Sequence, residues 1–165
     1  MEKLLNKAKD IKIIFFDIDD TLRVKDTGFM PASLTHIFEI LHQKGILTGI
    51  ATGRNLCGVV PEIKALHPDF FVTANGAYVI DKSDQVIYKQ SLPQKVVLDI
   101  VEWLTSSSAE YVVYGADQVV ASAWSDTMQS AIEPIYGQLP IDPDYHLTHD
   151  IFQMVTMSEH DDQLI

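Results

Sequence analysis

The chain has a single cysteine, Cys57, in 165 residues. One thiol excludes an internal disulfide framework and suits a reducing, cytoplasmic compartment. Cys57 itself reads as a small buried apolar residue. Long apolar runs are missing too. Ile13 to Phe16 follow Lys3, Lys7 and Lys9 in the manner of a signal peptide, but the run is too short and Asp17, Asp19 and Asp20 cut it off. No other run is long enough to span a bilayer. Cations are scarce in the second half. Residues 81–165 hold three Lys/Arg against fourteen Asp/Glu, whereas residues 1–80 hold nine against nine, so the net charge of -11 falls wholly in the second half. That bias disfavours a nucleic-acid or anionic-membrane partner. The change of charge near residue 80 divides the chain into two units, 1–80 and 81–165. No internal repeat or low-complexity segment interrupts them. A chain that is 47% hydrophobic and 21% charged is globular rather than disordered.

What the sequence does contain is organised around Lys12 to Leu22, KIIFFDIDDTL. A continuous apolar run followed by three carboxylates reads as a strand buried on both faces in the middle of a parallel sheet, ending in an acidic turn. Asp17 and Asp19 are two residues apart and share a face while the strand lasts. Two carboxylates that close disfavour each other's ionised forms unless a cation relieves them, and a hard divalent ion such as Mg2+ is the natural one. The carboxyl end of a central strand is also where open α/β sheets bind ligands. An acidic turn with a capping Asp is the plain alternative.

A βαβ unit follows. Residues 1–10 read as a short lead-in, and Pro31 opens a helix whose stripe is Leu34, Ile37, Phe38 and Leu41. Gly45 closes that helix, and Ile46 to Ala51 form a second buried strand. It ends in Thr52-Gly53-Arg54, a hydroxyl and a small residue placed to offer oxygen and N–H groups to an anion. Taken alone, T-G-R is an ordinary turn, and Arg54 serves a structural ion pair as readily as a substrate. Residues 55–66 are helical with a break at Pro61. Phe70 to Thr73 form a third strand closing on Asn75-Gly76, which either borders the site or is a simple turn into Tyr78 to Ile80. Further strands are expected at Gln85 to Gln90, Glu110 to Gly115, Gln118 to Ala123 and Ile151 to Met157. Helices are expected over Pro93 to Thr105 and from a Ser125-Asp126 cap to Tyr136. Trp103 and Trp124 read as core, and His146, His149 and His160 as surface residues without metal-ligand spacing.

Asp17-Ile18-Asp19-Asp20-Thr21-Leu22 resembles the DxDxT-L signature of the haloacid dehalogenase-like phosphatases, many of which have Gly where this chain has Asp20. The resemblance implies a Rossmann-like parallel-sheet core and a Mg2+ cofactor held by Asp17 and Asp19. It further implies Asp17 as nucleophile, Asp19 as general acid/base, and Thr52 and Gly53 as the phosphate-binding turn. Arg54, Asn75 and Gly76 fall beside these motifs. The N-G-A turn and the alternating elements of the second half resemble the subfamily with a large α/β cap inserted after the third core strand. The implied architecture is therefore the front half of the core over residues 1–80, with a cap over 81–165.

The same family pattern continues with a Lys motif and a second acidic motif that this sequence does not match. Lys95 is the last cation, and Asp161-Asp162 lacks the flanking Gly and acid. The expectation is the front portion of a longer protein, truncated before the second core half, with little turnover of its own. An open edge on the first strand would be prone to self-association. The implied function is hydrolysis of a small phosphorylated metabolite, with a sugar or polyol as the neutral leaving group. The alternative is a non-catalytic phosphate-binding or interaction fragment. A phospho-accepting receiver domain is disfavoured, because its acceptor Asp belongs at the end of the third strand, where this chain has Thr73-Ala74-Asn75.

Overall fold

The apolar runs become strands and the amphipathic stretches become helices in two compact units. The computed structural model describes residues 10–157. The lead-in before Asp10, His160 and the Asp161-Asp162 pair lie outside the described residues. The first unit comprises 10–53 and 59–89 of the described chain, and the second 54–58 and 90–157. The boundary thus follows Lys89 rather than residue 80. The reason is backbone pairing: β4 (Tyr78–Asp81) and β5 (Val86–Lys89) form an antiparallel hairpin that keeps both strands with the first unit.

In the first unit β1 (Ile13–Phe16), β2 (Leu47–Ala51) and β3 (Phe70–Thr73) run parallel, and β4 and β5 extend the sheet antiparallel, in the order β1-β2-β3-β4-β5. Helix α1 (Ser33–Gln43) makes the crossover from β1 to β2 and buries Phe38, whose ring lies 5.1 Å from that of Phe16. Its start follows Pro31, whose carbonyl accepts from Leu34 N–H. Gly45 closes it at φ +69°, and Ile46 N–H reaches back to Leu41 O, a left-handed glycine stop. Ile37 in the expected stripe is instead half exposed. The break at Pro61 is a restart, since Pro61 occupies the first position of the short helix α2 (Pro61–Lys64) after a turn at Leu56–Gly58.

Among the described residues β1 is the end strand of its sheet, paired to β2 alone, with the open edge expected for it. Its burial on both faces fails, since Phe15 is 47% exposed. Phe15 lies across Gly49 of β2, where an added Cβ would overlap its ring.

The amino ends of these strands are fastened by a polar network. Asp69 is buried immediately before β3. Its Oδ2 accepts from Thr48 N–H at 3.0 Å and faces His42 Nε2 at 3.3 Å, while its Oδ1 accepts from Lys82 Nζ at 3.0 Å. Burial pushes the Asp69 carboxyl up, but the Thr48 N–H, the Lys82 ammonium and His42 together outweigh it and hold it below the usual carboxylate value.

The second unit is a three-stranded antiparallel sheet, β7-β6-β8, of β6 (Glu110–Tyr114), β7 (Val119–Ala121) and β8 (Gln153–Met157). Helices α3 (Gln94–Ser106) and α4 (Asp126–Tyr136) contribute to two separate cores, one for each parity of β6. Val97 and Leu104 of α3 pack with Tyr111, Val113, Val120 and Ile151. Met128 and Ile132 of α4 pack with Val112, Tyr114, Val119 and Ala121. This two-faced burial explains why β6 reads as a continuous apolar run. Ser125 caps α4, its Oγ accepting from Met128 N–H at 3.2 Å while donating to Glu110 Oε2. Ile151 and Phe152 precede β8 rather than belonging to it, yet both are buried.

Three further residues depart from expectation. Trp103 sits on the outer side of α3, 46% exposed, because the inward positions are taken by Val97, Ile100, Val101 and Leu104. Cys57 is exposed in the turn before α2, with Asn55 Nδ2 at 3.2 Å from its sulfur. His146 is 5% exposed, since the turn Tyr145–Leu147 folds into the second unit and its backbone carbonyl takes a bond from Gln94 Nε2. Trp124 does pack against the core, and His149 stays exposed, stacked on Tyr145. No helix among the described residues is long and apolar enough to cross a membrane.

Two outcomes follow for stability. A carboxylate held below its unfolded value contributes stability above the unfolded pKa, about 3.9, and loses it as pH falls through the folded one. Asp69→Ala should therefore cost about 2–3 kcal/mol at neutral pH by stranding Thr48 N–H and Lys82. The wild-type advantage should shrink below about pH 4, as read by urea unfolding across pH. Ser125→Ala should cost about 1 kcal/mol through loss of the α4 cap, measured by the same unfolding titration.

Candidate functional site

Parallel pairing brings three loops to one edge of the first sheet. The register Phe16↔Ile50 and Ile50↔Phe71 places the carboxyl ends of β1, β2 and β3 side by side. Asp17 follows β1, Thr52 and Gly53 follow β2, and Asn75 and Gly76 follow β3.

The first loop is a tight turn. Ile18 O accepts from both Leu22 N–H at 3.0 Å and Arg23 N–H at 2.9 Å, and Asp20 N–H donates to Arg23 O at 2.7 Å. Ile18 and Leu22 are buried and anchor the turn, while Asp17 is exposed and Asp19 half-buried. The alternation of exposure from Asp17 to Asp19 carries the strand pattern past its last paired residue. The Asp17 carboxylate has no hydrogen bond or ion pair among the described residues. Asp20 adopts φ +58°, the left-handed region where Gly, Asn and Asp are the tolerated residues. This accounts for an Asp being tolerated at this position.

The second and third loops are tied together. Thr52 is buried; its N–H donates to Val72 O at 2.9 Å, and its carbonyl accepts from Asn75 N–H at 3.3 Å. Gly53 lies under the Asn75 side chain, and a Cβ there would stand 3.0 Å from Asn75 Oδ1. A larger residue would have to push Asn75 aside. Ala74, Asn75 and Gly76 all have positive φ, at 49°, 56° and 94°. For Ala74 that conformation carries a steric cost of about 1–2 kcal/mol. Asn75-Gly76 thus makes the β3–β4 turn, and Asn75 also stands against Thr52 and Gly53.

Arg54, next after Gly53, is grouped with the second unit, and its Nη1 donates to Gly58 O at 2.9 Å. Among the described residues no three His, Cys, Asp or Glu side chains converge as a metal cage. Sequence reasoning did not single out the left-handed geometry of Asp20 and Ala74. An Asp, one of the residue types that tolerates the left-handed region, was the available signal for the first, and nothing in the sequence marks the second.

Residues 14–164 match the haloacid dehalogenase-like hydrolase family. The chain is 46% identical over 162 residues to a Streptococcus pyogenes protein assigned as a bifunctional phosphatase/peptidyl-prolyl cis-trans isomerase, covering 98% of this chain and 34% of that one. Its fold is similar to that of a hypothetical protein from Geobacillus kaustophilus, with a TM-score of 0.83 and 30% identity, over 93% of this chain and 60% of that one. A sugar phosphatase of subclass IIB shares the fold at a TM-score of 0.74 and 24% identity, over 88% and 58% of the two chains. The chain thus spans about a third of the curated relative and under two thirds of these solved structures. A β1–β2–β3 parallel core with DIDDTL directly after β1, and a family match running from Ile14 onward, place this chain in the haloacid dehalogenase-like hydrolase family.

Proposed function

We propose that this chain carries phosphoryl-handling residues of a Mg2+-dependent phosphomonoester hydrolase. The observation that carries the reading is the gathering of Asp17–Asp19, Thr52–Gly53 and Asn75–Gly76 at one sheet edge. An exposed carboxylate with a second one two residues on suits Mg2+, which keeps several waters and takes one or two carboxylates from the protein. Asp17 and the Asp19 backbone carbonyl would hold the ion. When bound, it supplies charge neutralisation for the phosphoryl oxygens.

The residues then divide the chemistry. A carboxylate oxygen of Asp17 attacks phosphorus in line, the bond from phosphorus to the leaving oxygen breaks, and an aspartyl-phosphate forms. Asp19 gives its proton to that leaving oxygen. In the second half-reaction Asp19 takes a proton from water, the water oxygen bonds to phosphorus, and Asp17 departs with its carboxylate restored. Thr52 and the N–H groups at Gly53 orient the phosphoryl oxygens.

The substrate in this reading is a small phosphomonoester with a neutral sugar- or polyol-like leaving group. Support comes from charge: the second half holds three cations, and Lys95, the last of them, is paired with Asp99 at 2.9 Å. A second phosphate would find little to neutralise it.

Titration with beryllofluoride and Mg2+, followed by 19F NMR, tests the site. Saturable binding is expected for the wild type, with at least a tenfold loss in Asp17→Asn. Equal binding by both proteins sinks the assignment of Asp17. In competition with beryllofluoride, a hexose monophosphate should bind as well as the matching bisphosphate. A bisphosphate more than tenfold tighter contradicts the neutral leaving group.

A further inference from the structure

Asp20 takes no part in the reaction steps above, yet it is the most constrained residue of the first turn. Its backbone sits at φ +58°, its N–H donates to Arg23 O at 2.7 Å, and its Oδ1 accepts from Lys25 N–H at 3.0 Å. The peptide joining Asp19 to Asp20 is trans. In a trans peptide the C=O and N–H point in opposite directions. With the Asp20 N–H turned inward to Arg23, the Asp19 carbonyl is turned away from Arg23. The left-handed conformation at Asp20 is what lets the chain hold that plane and still return to Arg23.

We infer that Asp20 is a positioning residue that fixes the Asp19 carbonyl and side chain by two devices, its left-handed backbone and its carboxylate latch to Lys25 N–H. The latch closes a loop that is braced again further on. The Arg23 guanidinium donates to Lys25 O at 3.4 Å and lies against Gly28, where a Cβ would come within 2.7 Å of it. Val24 and Phe29 are also bonded, Val24 N–H to Phe29 O at 2.9 Å. Below the turn, buried Ile18 and Leu22 resist rotation of the whole segment. Asp19 is thereby held on one side by the core and on the other by the Asp20 latch. A Gly at this position supplies the backbone conformation and lacks the latch; Asn supplies both. A β-branched residue supplies neither.

This inference rests on the reading of Asp19 as part of a phosphoryl site. Its test compares the wild type with Asp20→Asn, Asp20→Gly and Asp20→Val. Mg2+-dependent beryllofluoride affinity is measured by 19F NMR at a temperature where each protein is folded, with thermal unfolding recorded alongside. Asp20→Asn should bind within about twofold of wild type, Asp20→Gly several-fold more weakly, and Asp20→Val more than tenfold more weakly. A purely structural role would lower the unfolding temperatures and leave the affinities equal, and that result overturns the inference. Should Asp20→Val fail to fold, the Gly variant decides: affinity equal to that of wild type and Asn removes the latch. No binding by the wild type overturns both the phosphoryl-site reading and this inference; wild-type binding with no loss in the variants overturns this inference alone.

Discussion

Parallel pairing of β1 with β2 and β2 with β3 is the constraint on which the site depends. Strands that run the same way must finish on the same edge, and the helical crossover between β1 and β2 is what makes that direction possible. Three loops, at Asp17, Thr52 and Asn75, are thereby placed next to one another although they lie far apart in sequence. One ends in exposed Asp17, one in buried Thr52, and one in the left-handed Asn75 turn that bonds back to Thr52. No single loop contains all the groups of the proposed phosphoryl site. The sheet edge brings them together.

The two edges of that sheet are built differently. At the amino ends, Asp69 gathers Thr48, His42 and Lys82 into a satisfied network in which hydrogen bonds and a cation outweigh the burial of a carboxylate. At the carboxyl ends, Asp17 is left without such partners among the described residues, and Asp20, Ala74 and Asn75 are held at positive φ. The satisfied carboxylate network lies at the amino ends, while positive φ occurs at both edges, at His67 and Asp84 as well as at Asp20, Ala74 and Asn75. Residues held in costly conformations persist only where the surrounding structure over-determines them. Here Ile18 and Leu22 do so below the first turn, and Thr52 does so beside the third.

Much of this was legible in the sequence because the signals were local and strong. The run IIFF before DIDDTL, the Phe70 to Thr73 strand, and the Ser125 cap with α4 ending at Tyr136 all follow from periodicity, propensity and capping chemistry. The rest depended on tertiary placement. Apolarity alone made the first strand read as buried on both faces despite its expected open edge, so half-exposed Phe15 was misread. A charge shift near residue 80 could not reveal that the β5 hairpin pairs back onto β4. Trp103, Cys57 and His146 each went against the burial habit of their residue type, because helix phase and turn placement decided them. The positive φ of Ala74 has no sequence marker at all.

The account stands on three separated loops acting as one site. The most direct measurement is a backbone amide NMR map recorded on adding Mg2+ and beryllofluoride together. The account predicts shifts that saturate in step at Asp17 to Asp20, at Thr52 and Gly53, and at Asn75 and Gly76. Shifts confined to one of these loops, or spread without regard to the strand ends, would contradict it.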